Sequence, residues 1–173
     1  MSGLRSRNAG KRFERECAKL LQPYYPVIRM AQVAQDRATP VPDIDCPTCP
    51  WWIECGYTST RTMAELTISK WQQAQSDQAR ALTRAGLLYD RDHQPKPRPI
   101  LLMLARSRRE RWIAGPPLEL SQHGIRSVDS PVTTILNLIW YPQLSAGNDE
   151  TLILIPMDVF AKALELRANT VTM

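Results

Sequence analysis

Between the prolines at 95, 97 and 99 and a cluster of arginines, residues Ile100 to Ala105 read Ile-Leu-Leu-Met-Leu-Ala without one polar side chain. A strand that alternates apolar and polar residues can lie on a surface, but one that is apolar at every position must be covered on both faces. Six residues bounded by prolines and charges suit such a strand better than a helix. The run therefore calls for an α/β fold, a mixed central β-sheet flanked by helices. A chain of 173 residues, 43% of them hydrophobic, can bury that sheet within a single domain, 1–173. No internal repeat, low-complexity tract or domain boundary argues for more.

Periodicity supplies the covering layers. Asn8 to Gln22 reads as a helix, with Ala9, Phe13, Cys17, Leu20 and Leu21 at helical spacing and Pro23 closing it. Met63 to Ala85 reads as a second, with Ala64, Ile68, Trp71, Gln75 and Leu82 on one stripe and Gly86 as its stop. Met157 to Ala168 reads as a third. Strands are expected at Val27–Val33, in two short runs within Ile44–Gly56 that form a hairpin, at Arg111–Ala114 pairing back on the central run, and at Leu152–Ile155. Arg37–Pro42 reads as a loop and Asp90–Pro99 as a linker. Val132–Tyr141 fits helix or strand, and no role is assigned to residues 116–150.

The net charge of +5 conceals a division. Residues 1–29 hold seven Lys/Arg against two Glu, residues 96–111 hold six against one, and the remainder is net acidic. Two basic segments suit a polyanion, and Arg7, Lys11, Arg12, Arg29 and Arg108 are the expected DNA-backbone contacts. A solvated helix face explains the first segment equally well. No run of eighteen apolar residues exists, and the basic amino terminus is followed by no apolar stretch, so the expectation is a cytoplasmic protein without a membrane span.

Carboxylates cluster in the first half: Glu14 and Glu16 on the first helix, Asp43 and Asp45 entering a strand, and Glu54 in the next. Strand alternation puts Trp52, Glu54 and Gly56 on one face and Ile53 and Cys55 on the other, so Glu54 stands among apolar residues and needs a partner. Carboxylates on adjacent strand ends can share Mg²⁺, which takes hard oxygen ligands and activates water in phosphodiester hydrolysis. Individually these acids also read as a turn cap (Asp43), a backbone acceptor (Asp45) and an arginine partner (Glu54).

The pieces Gly10-Lys-Arg-Phe-Glu14-Arg-Glu16, Val27-Ile-Arg29, Pro42-Asp43 and, eleven residues after Asp43, Ile53-Glu54-Cys55 together resemble the PD-(D/E)XK nucleases, and among them the archaeal and phage Holliday junction resolvases. The likeness covers roughly residues 8–85. It implies a restriction-endonuclease-like fold and a homodimeric, Mg²⁺-dependent endonuclease (Mn²⁺ being an alternative ion) acting on four-way junctions or other branched DNA in recombination, in the host cytoplasm if the chain is phage-encoded. By the resemblance Asp43 and Glu54 ligate the metal, Glu14 assists metal or water binding, and Asp45 is a reserve ligand.

The family's lysine, two residues after the second acid, is here Gly56. Its ammonium would stabilise charge on the attacked phosphate. Three accounts stand: an inactivated variant, a binding protein that keeps the nuclease fold without cutting, or a cation supplied from elsewhere. Lysine migration to the following helix occurs in the superfamily, and Lys70 is the lysine there. It lies about 120° from the centre of the apolar stripe, beside it and not on it. An ordinary surface lysine is the plainer account of it, and Arg61 is a bulkier substitute. A restriction or repair nuclease of the same fold would share every site residue.

Cys46-Pro-Thr-Cys49 has the spacing of a zinc knuckle, yet no second such pair and no nearby histidine completes it. Buried free thiols are the expectation over structural Zn²⁺. Trp51 and Trp52 fit base stacking at a junction, or more simply a core or dimer interface. Neither His93 nor His123 is linked to chemistry.

Overall fold

The computed structural model describes residues 2–29, 39–46, 48–49, 51–86, 97–116, 143–147 and 150–171. Helix α1 spans Ser2–Leu21, followed by strands β1 (Ile28–Arg29), β2 (Ile44–Asp45) and β3 (Trp52–Tyr57), and helix α2 (Met63–Gly86). Then come β4 (Ile100–Ala105), β5 (Arg111–Gly115), β6 (Gln143–Gly147), β7 (Glu150–Pro156) and helix α3 (Met157–Val171). The strands form one sheet in the order β1-β2-β3-β4-β5-β7-β6. Among the described strand pairs only β3 and β4 run parallel, and the long α2 is the crossover that such a pair requires.

The apolar run is strand β4, buried at all six positions in the middle of the sheet. Its side chains divide between two cores. Leu101, Met103 and Ala105 pack with Phe13, Cys17 and Leu21 of α1, Ile53 and Cys55 of β3, and Phe160 of α3. Ile100, Leu102 and Leu104 pack with Trp52 of β3 and with Leu66, Trp71 and Ala74 of α2. Thus α1 and α3 cover one face and α2 the other, and each buried aliphatic side chain contributes about 1.5–3 kcal/mol. The hairpin is present, with Ile44 opposite Ile53, and β5 pairs back on β4 from Leu102↔Ala114 to Ala105↔Arg111.

Three expectations are revised. Helix α1 begins six residues before Asn8. Strand β6 lies in a stretch given no element, where its short polar sequence carries no period-2 signal. On α2 the buried residues are Leu66, Thr67, Trp71, Ala74 and Gln78, whereas Ala64 is exposed and Ile68, Gln75 and Leu82 are only half-buried. The helix is rotated by about a quarter turn from the expected stripe, which brings Lys70 from about 120° to about 50° from the centre of the sheet-facing side. Large side chains on both flanks left the periodicity ambiguous, and the fit of Trp71 and Leu66 against β3 and β4 settles it.

The entry to α2 is well anchored. Thr62 N–H donates to Glu65 Oε2 at 2.8 Å and Glu65 N–H donates to Thr62 Oγ1 at 3.2 Å, a capping box. The Thr58 hydroxyl accepts from the backbone N–H groups of Thr60 and Arg61 in the turn that leaves β3. Among the described residues no helix is long and apolar enough to cross a membrane. Residues 30–33 of the expected first strand, 90–96 of the linker, the 132–141 segment, His93 and His123 lie outside the described residues.

Candidate active site

Glu54 is 3% exposed, on the α2 side of β3 as strand alternation requires. Its partner is within its own strand: Trp52, two residues earlier on the same face, donates its indole Nε1–H to Glu54 Oε1 at 2.9 Å. Arg98 lies over the Trp52 ring, 5.8 Å from its centre, and fixes the indole from the other side. Asp43 precedes β2, whose antiparallel register places it beside Glu54. Its Oδ2 accepts the backbone N–H of Cys55 at 2.9 Å, and its carboxyl group hydrogen-bonds that of Glu54. The two acids read from the sequence therefore meet across the β2–β3 pair.

Burial raises the Glu54 carboxyl to about 8, with the Asp43 charge adding to the rise. The charge of Lys70 and the Trp52 hydrogen bond act in the opposite direction. At neutral pH Glu54 thus holds a proton in its contact with Asp43. Two touching carboxylates need either a proton or a cation between them, and the hard oxygen donors here suit Mg²⁺.

Lys70 packs close to this carboxylate pair. A Cβ placed on Gly56 would stand 3.1 Å from Lys70 Cγ, 2.9 Å from Leu104 Cδ2 and 3.4 Å from Leu66 Cδ1. The lysine stem therefore lies over the strand at Gly56. Gly56 is glycine for the room it leaves. A lysine one helical layer above the strand carries its ammonium into the same neighbourhood, and the influence of Lys70 on Glu54 reflects that proximity.

The other candidate residues are placed differently. Glu14 lies on α1 near enough to influence Cys55, on the opposite side of β3 from Glu54. Among the described residues no group of three His, Cys, Asp or Glu is gathered as a metal cage. Asp45 is engaged by Arg98 at 3.5 Å. Arg61 is exposed at the start of α2 and donates to Ser69 Oγ at 3.4 Å. The buried amide of α2 is Gln78 and not Gln75; it donates to Arg98 O at 2.8 Å.

Trp51 packs edge-on to Tyr25 and against Phe160, and Trp52 is 6% exposed, so neither is a stacking platform for bases. All four cysteines are free and buried. Burial, together with the hydrogen bond between Cys46 and Cys49, pushes the Cys49 thiol up to about 12.

The two basic segments meet on the α1 side. Arg7 and Arg12 are exposed on α1, Lys11 is half-buried, and Arg108 is exposed on the β4–β5 turn; the Arg29 side chain lies outside the described residues. A cavity of about 120 Å³ between α1 and this turn is lined by Arg12, Arg108 and Arg111, with Glu16, Ser107 and Tyr57. Sequence reasoning missed Arg111 and Glu16 as a pair because 95 residues separate them.

The protonated Glu54 makes metal-free stability depend on pH. Its carboxyl is raised in the folded chain, so its contribution is fully present below the unfolded value of about 4.5 and is lost as pH rises through about 8. Between pH 5 and 9 the wild type is expected to lose a few kcal/mol more than Glu54→Gln, whose amide mimics the protonated acid. Urea unfolding in EDTA measures this, and equal pH slopes for the two proteins would remove the buried proton from the account. No family model, curated protein or solved structure gives a significant match to the chain.

Proposed function

We propose that the chain is a metal-dependent endonuclease that hydrolyses phosphodiester bonds of branched DNA, with four-way junctions as substrate and a homodimer as the working form. The observation that carries this reading is Lys70 packed over Gly56 beside the bonded Asp43–Glu54 pair. Two carboxylates and an ammonium are the groups that metal-assisted phosphodiester hydrolysis requires, and here three separate elements bring them together.

Asp43 and Glu54 are the residues that would hold Mg²⁺ or Mn²⁺; Glu14, the assisting acid that the resemblance implies, lies across β3 from Glu54. The bound ion supplies a Lewis acid for the phosphoryl oxygen and an activated water. Cys55 N–H fixes Asp43, and the Trp52 indole fixes one Glu54 oxygen, so both carboxylates are oriented before substrate arrives. Glu54 releases its proton to serve as a ligand, which favours mildly alkaline conditions. Lys70 offsets the charge that builds on the attacked phosphate. Two symmetric nicks in a junction call for two such sites, hence a two-fold dimer.

A second reading has its own support. The carboxylate pair is closed by a proton at neutral pH, and no third acid joins it among the described residues, as suits a DNA-binding protein that has lost cleavage. Incubation of labelled four-way junction and matched linear duplex with Mg²⁺ at pH 7 and pH 9 separates the two. Paired nicks in the junction, stronger at pH 9 and absent in Glu54→Ala, are expected. Binding without nicking at either pH would transfer the assignment to the binding protein, and equal cutting of linear duplex would transfer it to a restriction or repair nuclease.

A further inference from the structure

Glu16 sits where two arginines, one a helical turn away and one 95 residues distant, converge. Arg12 Nε donates to its Oε1 at 3.2 Å, and Arg111 Nη2 donates to its Oε2 at 2.6 Å. Each carboxylate oxygen thus takes one guanidinium, an arrangement that two oxygens of a phosphate reproduce. Arg108 completes the wall of the cavity with Ser107 and Tyr57, so three guanidinium groups surround one acid.

The cluster holds more donors than its acid can satisfy. Arg111 Nε is buried without a hydrogen-bond partner among the described residues. A buried guanidinium nitrogen left in this state marks a missing acceptor. The Glu16 and Arg111 side chains are still about one-third exposed, and Arg12 63%, so an incoming anion can reach them and exchange with the carboxylate at little cost.

We propose that this cavity is a phosphate subsite for the DNA backbone, and that Glu16 holds the place of the phosphate in the free protein. The DNA phosphate takes over Arg12 and Arg111, gains Arg108, and Glu16 turns out to solvent. Tyr57 in the cavity wall ends the strand that carries Glu54, three residues or about 10 Å along β3. The cavity also lies on the other side of the sheet, so the phosphate it grips is a different one from that at the carboxylate pair. The proposal rests on the DNA-directed reading above but not on cleavage.

Binding of fluorescent junction DNA in EDTA across a salt series tests it, since no cutting is read. Glu16→Gln removes the competing anion and is expected to bind several-fold tighter. Arg108→Gln and Arg111→Gln are each expected to lower the slope of log K against log salt by about one. Arg80→Gln, on α2 and paired with Asp77, is expected to match the wild type. Glu16→Gln binding no tighter, or Arg108→Gln keeping the full slope, overturns the subsite. Arg108 is exposed, so its replacement reads the site even if Glu16→Gln is poorly folded. A wild type that binds no DNA overturns the DNA reading itself, whereas binding without nicking leaves the subsite standing.

Discussion

Replacement of Lys70 by alanine is expected to lower junction cleavage by about 10²- to 10³-fold while leaving the fold in place. The magnitude is that of removing one pre-aimed charge from a site where negative charge develops. The structural cost is small, because the stem of Lys70 lies on Gly56 at the edge of the α2 core and its removal opens no large cavity. A second readout separates a catalytic ammonium from a packing role. Lys70 lowers the proton affinity of Glu54, so Lys70→Ala moves the residual activity to higher pH, whereas a purely structural lysine would leave the pH profile where it is. Wild-type cleavage rates in Lys70→Ala would remove the lysine from the site and leave Gly56 unexplained by it.

Gly56→Lys is expected to abolish cleavage, although from the family pattern alone it looks like a repair. The new Cβ would stand 2.9 Å from Leu104 Cδ2 and 3.1 Å from Lys70 Cγ, so the Leu104 side chain must shift and the Lys70 stem must move away from the strand. Leu104 is fully buried in the central strand and has little freedom to move. Overpacking of this kind costs about 1–3 kcal/mol, and displacement of Lys70 removes the ammonium that the proposed function assigns to the site. Gly56→Ala isolates the steric part, with a lowered unfolding midpoint and reduced cleavage. The double variant Gly56→Lys/Lys70→Ala relieves the clash with Lys70 but not the one with Leu104, and is expected to regain only part of the activity. Cleavage by Gly56→Lys above the wild-type rate would mean that the vacancy is genuine and that Lys70 does not fill it.

Much of this protein is written locally. The apolar run from Ile100 to Ala105, the hairpin of Ile44–Asp45 with Trp52–Tyr57, the return of Arg111–Ala114 and the terminal helix follow from patterns a few residues long, and the fold has them all. The same holds for the alternation that puts Glu54 on the apolar face with Trp52, since period 2 is a property of the strand itself. Asp43 and Glu54 were legible as a pair because a short hairpin brings residues near its turn together. Strand β6 was not legible, because Gln143–Gly147 has little apolar content and gains its pairing only from β7.

What the chain could not express locally is which way α2 faces and what meets across the sheet. Its side chains support two apolar stripes about a quarter turn apart, and a helix alone has no reason to choose between them. Packing of Leu66, Trp71 and Ala74 into the surface of β3 and β4 makes the choice, and with it carries Lys70 from the flank to a place above Gly56. Glu16 and Arg111 likewise become partners only because α1 crosses the sheet beside the β4–β5 turn. Sequence determines periodicity and local pairing, since these depend on neighbours three or four residues away; rotation and long-range convergence are decided by the packing free energy of the whole core, to which no single segment holds the answer.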